Sequence, residues 1–211
     1  MSDPAQLFDA ILNGNAKQAE AVTKAALEAK SDPAELVRKY MIPAMDEVGR
    51  RFECNEYFVP ELLIAARAMK IALELITPHL VGAGVERAGR VVIGTVQGDL
   101  HDIGKNLVAS MLEGGGFEVV DLGVDVPPDR FVEAAQQKDG TIVALSALLT
   151  TTMTMMKKVV ESLEKAGLRK KTKVMIGGAP ITQQYAAEIG ADGYSDNASG
   201  AVAVARKLAS A

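Results

Sequence analysis

Val91-Val92-Ile93-Gly94-Thr95-Val96-Gln97-Gly98-Asp99-Leu100-His101-Asp102-Ile103-Gly104 is the stretch on which the fold of this chain turns. Its first six residues are an apolar run of the length of a buried strand, and residues 105–112 carry apolar side chains at helical spacing. His101 falls on the turn between the two, two residues after Asp99. A histidine so placed can ligate a metal while a carboxylate holds its other ring nitrogen.

The same strand-then-helix alternation continues to the end. Strand-like runs occur at 91–95, 118–121, 142–146 and 173–176, with a weaker one at 193–195. Helical stretches lie at 104–113, 128–137, 152–166, 182–189 and 198–208. Such alternation implies a five-stranded parallel sheet covered on both faces, a doubly wound α/β domain of flavodoxin-like or Rossmann-like type. Ligands of such sheets bind beyond the carboxyl ends of the strands.

Residues 1 to about 80 read as helices only. Asp3-Pro4 starts the first, as a cap followed by proline, and Asn13-Gly14-Asn15 ends it. Residues 16–29 form a second, and Ser31-Asp32-Pro33 opens a third with Glu35 in its first turn. Pro43 lies inside that third pattern and is expected to kink or split it. After a polar turn at 53–56, Pro60 opens a fourth helix running to about residue 80. The expectation is a four-helix bundle over 1–83, a linker beginning at Gly82-Ala83-Gly84, and the α/β domain over 84–211.

Hydrophobic residues make up 48% of the 211, but aromatics only 4% and tryptophan none, so aliphatic side chains and methionine must fill the core. A net charge of −4 with no basic cluster argues against nucleic-acid binding. No apolar run suits a membrane span and the first residues do not resemble a signal peptide, so a cytoplasmic protein is expected. One cysteine excludes an internal disulfide. Two histidines and one cysteine do not easily supply the three or four ligands of a protein-only transition-metal site. A metal that brings its own equatorial ligands needs only one histidine, which points to a macrocyclic cofactor.

Three turns at the expected carboxyl edge carry unusual residues: 98–104, then Ser146 through Thr152, then Ile176-Gly177-Gly178-Ala179-Pro180. Gly177-Gly178 suits close approach of a ligand to backbone, and equally a tight turn. Ser146, Thr150 and Thr152 offer hydroxyls, although Ser146 also suits a satisfied core position and Thr150 or Thr151 a helix cap. His79 suits the carboxyl end of the fourth helix. Cys54 has no neighbouring base and is given no role; Met153, Met155 and Met156 read as core filling.

These motifs resemble the cobalamin-binding proteins of the methionine synthase and corrinoid methyltransferase type. Asp99-Leu100-His101-Asp102-Ile103-Gly104, Ser146-Ala147-Leu148 and Gly177-Gly178 stand in that family's order and spacing. Val96-Gln97-Gly98, residues 104–108 and 120–127, and the helical stretch from Arg51-Phe52 to Leu63 are similar too. The resemblance implies cobalamin with His101 as the lower axial ligand to cobalt, Asp99 on its other nitrogen, and Thr152 where the family continues the relay with serine. It implies that Gly98, Asp102, Ile103 and Gly104 flank the ligand and that Ser146, Leu148, Thr150, Gly177 and Gly178 line a pocket for the nucleotide tail, with Tyr194 and Ala198 near its far end. It also implies that Phe52, Val59 and Leu62 of the bundle cover the reactive face of the corrin.

The expected function is therefore that of a corrinoid methyl carrier in one-carbon metabolism, cycling between cob(I)alamin and methylcobalamin. It would be a carrier subunit of a multi-component system and not a stand-alone enzyme. The implied partners are a substrate-specific methyltransferase, a methyltransferase serving tetrahydrofolate or coenzyme M, and a reductive activase. The donor is expected among methanol, a methylamine and a methoxylated aromatic compound. A cobalamin-dependent sensor or regulator is the alternative.

Overall fold

Two short polar side chains start helices in the first half. In the computed structural model, which describes residues 4–80 and 88–210, helix α1 spans Gln6–Leu12 and α2 spans Ala16–Glu28. The Asn15 side chain accepts from the Gln18 N–H at 3.1 Å, capping α2. Asp32 does the same for α3 (Pro33–Leu36), accepting from the Ala34 N–H at 2.9 Å. Asp3, the expected cap of α1, lies outside the described residues; Ala5 occupies the cap position without a side-chain bond.

Pro43 splits the third helical pattern in a specific way. A π-helical turn, Val37–Met41, joins α3 to α4 (Ile42–Glu53), and the Ile42 N–H donates to the Val37 carbonyl, five residues back. A proline lacks the N–H for an ordinary helical bond and its ring crowds the carbonyl four residues earlier. The wider turn absorbs both defects without ending the helix. Helix α5, Val59–Leu80, has Pro60 at its second position, and Glu61 accepts from the Phe58 N–H at 2.9 Å. Leu7, Ile11, Leu36, Met41, Leu62, Met69 and Ile76 are fully buried. The chain divides into two compact units, Met1–Arg87 with Glu113–Gly116 and Ala88–Leu112 with Phe117–Ala211. The expected linker and the boundary at 83/84 lie outside the described residues.

In the second unit the strands are β1 (Arg90–Thr95), β2 (Glu118–Asp121), β3 (Thr141–Ser146), β4 (Lys173–Gly177) and β5 (Gly193–Tyr194). They pair in the order β2-β1-β3-β4-β5, every pair parallel. Between them run α6 (Ile103–Gly114), α7 (Pro128–Gln136), α8 (Thr154–Lys165) and α9 (Gln183–Ile189), and α10 (Ala198–Ala209) follows β5. Every residue of β1 is buried, as a strand covered on both faces must be. Val92, Val143, Leu145, Val174 and Ile176 pack with Phe131 of α7 and with Met156, Val159 and Leu163 of α8. Gly94 has no side chain because Phe131 takes its place: a Cβ there would sit 2.8 Å from the ring. Met153 and Met155 pack against the same core, half-buried.

One local expectation is corrected. Helix α8 begins at Thr154, and neither Thr150 nor Thr151 caps it; Met153 holds that position with no side-chain bond.

Candidate functional site

The strand order reverses direction between β1 and β3, the place at the carboxyl edge where ligands of such sheets bind. One of these loops carries Asp99 and His101; the other carries Leu148 to Thr152. Asp99 is the point where they meet. Its side chain is fully buried. Its Oδ1 accepts from the His101 N–H at 3.1 Å and lies 2.7 Å from His101 Nδ1. Its Oδ2 accepts from the N–H groups of Leu148 at 2.8 Å and Leu149 at 3.2 Å, and from the Thr152 hydroxyl at 2.7 Å.

Burial pushes the Asp99 carboxyl up, but the bonds from Thr152, Leu148 and His101 outweigh it and hold the group well below the usual carboxylate range. An ionised carboxylate only accepts, so the proton of the ring bond sits on His101 Nδ1. That leaves Nε2 as the lone-pair nitrogen of a ring that is 52% exposed. Thr152 Oγ1 also lies 3.0 Å from the Leu149 carbonyl, but it has one proton. The shorter bond to a charged acceptor takes it. Thr95 Oγ1, at the end of β1, donates to the His101 carbonyl at 2.9 Å and fixes the loop from below.

Apolar side chains of the same two loops stand in the open. Leu100 is 71% and Ile103 84% exposed, and Leu148 and Leu149 are each more than two-fifths exposed. A Cβ added at Gly104 would meet nothing within 4 Å. One tautomer-fixed imidazole within an exposed apolar patch fits a flat macrocycle that brings four ligands to its own metal. Among the described residues, no group of three or more His, Cys, Asp or Glu is placed to hold a metal by itself.

The other expected site residues divide. Gly98 has φ +85°, a backbone that only glycine adopts freely, and its N–H donates to Asp125 Oδ1 at 2.7 Å. Asp102 accepts from the Asn106 side chain at 3.1 Å. Ser146 ends β3, paired with Thr95 on one side and Gly177 on the other, and Thr150 is exposed. Gly177 and Gly178 both stand where backbone crowds the position of a side chain. A Cβ on Gly178, at φ +136°, would collide with the Ala147 carbonyl, and one on Gly177 would lie 3.1 Å from the Ser195 carbonyl. The chain's own backbone approaches closely at both. Tyr194 is half-buried, and Ala198 is buried in the first turn of α10, which Asn197 caps by accepting from the Gly200 N–H at 2.7 Å. Phe52, Val59 and Leu62 belong to the helical unit, where Leu62 is fully buried, Phe52 half-buried and Val59 exposed. His79 stands in the last turn of α5, and Cys54 is exposed.

Residues 89–203 match the B12 binding domain family, and residues 5–77 match a second family of the same description. Over 206 residues the chain is 46% identical to trimethylamine corrinoid protein 1 of Methanosarcina acetivorans, spanning 97% of this chain and 95% of that one. The chain belongs to the B12-binding corrinoid proteins. Dimethylamine corrinoid protein 3 of the same organism is 43% identical over 204 residues, spanning 96% of this chain and 95% of the relative. A cobalamin-binding protein from Desulfitobacterium hafniense superposes with a TM-score of 0.80 at 34% identity, over 99% of both chains. A chain of the methanol:cobalamin methyltransferase complex from Methanosarcina barkeri does so at 0.85 and 31% identity, over 97% of this chain and 78% of that chain. Cobalamin is the cofactor of this corrinoid protein. No helix among its described residues is long and apolar enough to cross a membrane.

Proposed function

We propose that this corrinoid protein carries methyl groups from a substrate:corrinoid methyltransferase to a second methyltransferase that serves tetrahydrofolate or coenzyme M. A reductive activase is its third partner. The observation that carries this reading is the chain of bonds Thr152–Asp99–His101, ending in a half-exposed Nε2 within an apolar patch. When bound, cobalamin supplies the cobalt centre that accepts and gives up the methyl group. His101 would hold the metal of that group through Nε2. Asp99 keeps the proton on Nδ1, and Thr152 with the Leu148 N–H keeps Asp99 ionised and still. Leu100, Ile103 and Leu148 exclude water from the underside of the macrocycle. Gly98, Asp102 and Gly104 frame the ligand loop. Ser146 and Thr150 offer hydroxyls to the nucleotide tail, alongside Gly177, Gly178, Tyr194 and Ala198.

A methylated amine is the donor class we favour. The amine-named relatives are 38–46% identical to this chain, against 31% for the chain of the methanol complex. The test is reconstitution of the purified protein with hydroxocobalamin, followed by desalting and absorbance. About one cobalamin per chain is expected, and none retained by folded protein would refute the carrier. The loaded, reduced protein should then be methylated by a methylamine:corrinoid methyltransferase and not by a methanol-specific one; the reverse would overturn the donor class.

A further inference from the structure

Asp99 is gripped from two directions, and only one of them belongs to the relay. The loop after β3 holds its carboxylate. The loop after β2 holds its backbone, through Asp125. The Asp125 N–H donates to the Asp99 carbonyl at 3.0 Å, and Asp125 Oδ1 accepts from the Gly98 N–H at 2.7 Å. Asp125 thus brackets the peptide that leads into Asp99. The grip is rooted in the sheet. The Thr95 N–H donates to the Gly123 carbonyl and the Val126 N–H to the Thr95 carbonyl, both at 3.0 Å, extending the pairing of the β1 and β2 segments beyond the strands proper.

Both partners pay in backbone conformation. Asp125 has φ +53° and Gly98 +85°. A left-handed backbone is uncommon for a residue with a side chain, aspartate and asparagine being among those that tolerate it best. Such a conformation persists where surrounding bonds over-determine it, and it is enriched at sites that need a group held in one place. Asp125 is exposed and packs into no core, so the bonds to Gly98 and Asp99 are its evident work.

We infer that Asp125 is a positioning residue for the axial histidine. It fixes the Gly98–Asp99 backbone, and through it the direction in which Asp99 presents His101 to the metal. This rests on the corrinoid reading above. Without Asp125 the Asp99 carboxylate stays anchored to Leu148, Leu149 and Thr152, while the Gly98–Asp99 peptide loses both of its bonds to the loop after β2 and is held only by the Asp99 N–H to Val96 and, beyond it, Thr95 on the His101 carbonyl.

Three variants separate the contributions. Asp125→Asn keeps both the side-chain acceptor and the tolerance for a left-handed backbone. Asp125→Gly keeps the backbone and loses the acceptor, and Asp125→Ala loses both. Each is loaded with hydroxocobalamin and reduced to the cobalt(II) state. With the histidines labelled with 15N, the fraction showing the doublet splitting of a histidine nitrogen, as against the triplet of the cofactor's own benzimidazole, is then read by electron paramagnetic resonance, with apo-protein melting measured alongside. The ratio of His-ligated to His-free protein should stay at the wild-type value in Asp125→Asn. It should fall about tenfold in Asp125→Gly, the equivalent of one hydrogen bond to a charged group. A folded Asp125→Gly protein with wild-type splitting overturns the inference, whatever becomes of Asp125→Ala. Loaded wild-type protein without that doublet refutes His101 ligation itself, and the inference with it.

Discussion

Replacing Thr152 by valine removes one hydroxyl and almost nothing else. The side chain is buried and keeps its shape, and the lost bond is the 2.7 Å contact with Asp99 Oδ2. Hydrogen bonds to charged groups contribute roughly 1.5–3 kcal/mol. The N–H groups of Leu148 and Leu149 continue to serve the same oxygen, so the carboxylate is not orphaned and the lower end applies. The expected loss is about 1.5–2 kcal/mol, or about 5 °C in the melting temperature of a domain of this size. Thr152→Ser is the control. It keeps the hydroxyl and gives up one methyl, whose carbon lies 3.6 Å from where a Cβ on Gly98 would stand. Burial of one methyl is worth about 0.8 kcal/mol. Urea unfolding of apo protein, with the slope unchanged, measures both. A valine variant as stable as the serine variant, or more so, would show that the hydroxyl does not brace Asp99.

Two glycines predict opposite outcomes. Gly178→Ala drives a Cβ into the Ala147 carbonyl at φ +136° and should cost about 3 kcal/mol or more, read as a large drop in apo melting temperature; wild-type melting would contradict the backbone packing described. Gly104→Ala, in the first turn of α6 with open space around its Cβ, should stabilise the apo protein by about 0.5–1 kcal/mol. Its retention of cobalamin on desalting should nevertheless fall if the ligand fills that space as proposed; full retention would place the macrocycle elsewhere.

What could be read from the sequence was what the chain encodes locally or repeats along its length. The apolar runs located all five strands and their alternation with helices fixed a parallel sheet, because each run needs cover on both faces. Asp99 and His101 were legible as a pair since two residues on one turn reach each other without help from the fold. Thr152 was found through the family's serine position. The missed contributions come from groups without a residue signature or from contacts across the sheet. The N–H groups of Leu148 and Leu149 belong to any residue that stands there. Asp125 reaches Gly98 across 27 positions, a contact that exists only once β1 and β2 are paired. A carboxylate beside Gly123 in a loop was the available hint. The alternative of a cap at Thr150 or Thr151 fails because the turn at 150–153 is folded to bring Thr152 to a buried charge, and the helix starts where that turn ends. The paired glycines were legible as a place of close approach, and the backbone of Ala147 and Ser195 makes one there.

The π-helical turn at Val37–Met41 sets an angular offset for everything after it. Leu36 and Met41 are both buried although five residues apart, a spacing that an unbroken α-helix would place well round the cylinder from each other. Winding these same residues as plain α-helix, without the wider turn, would rotate α4 by about 100° relative to α3. Ala44, Met45 and Val48 would leave the interior together, and the direction of Phe52, at the far end of the same helix, would swing with them. The length of this turn, more than the identity of any residue in it, therefore aims the last side chains of α4.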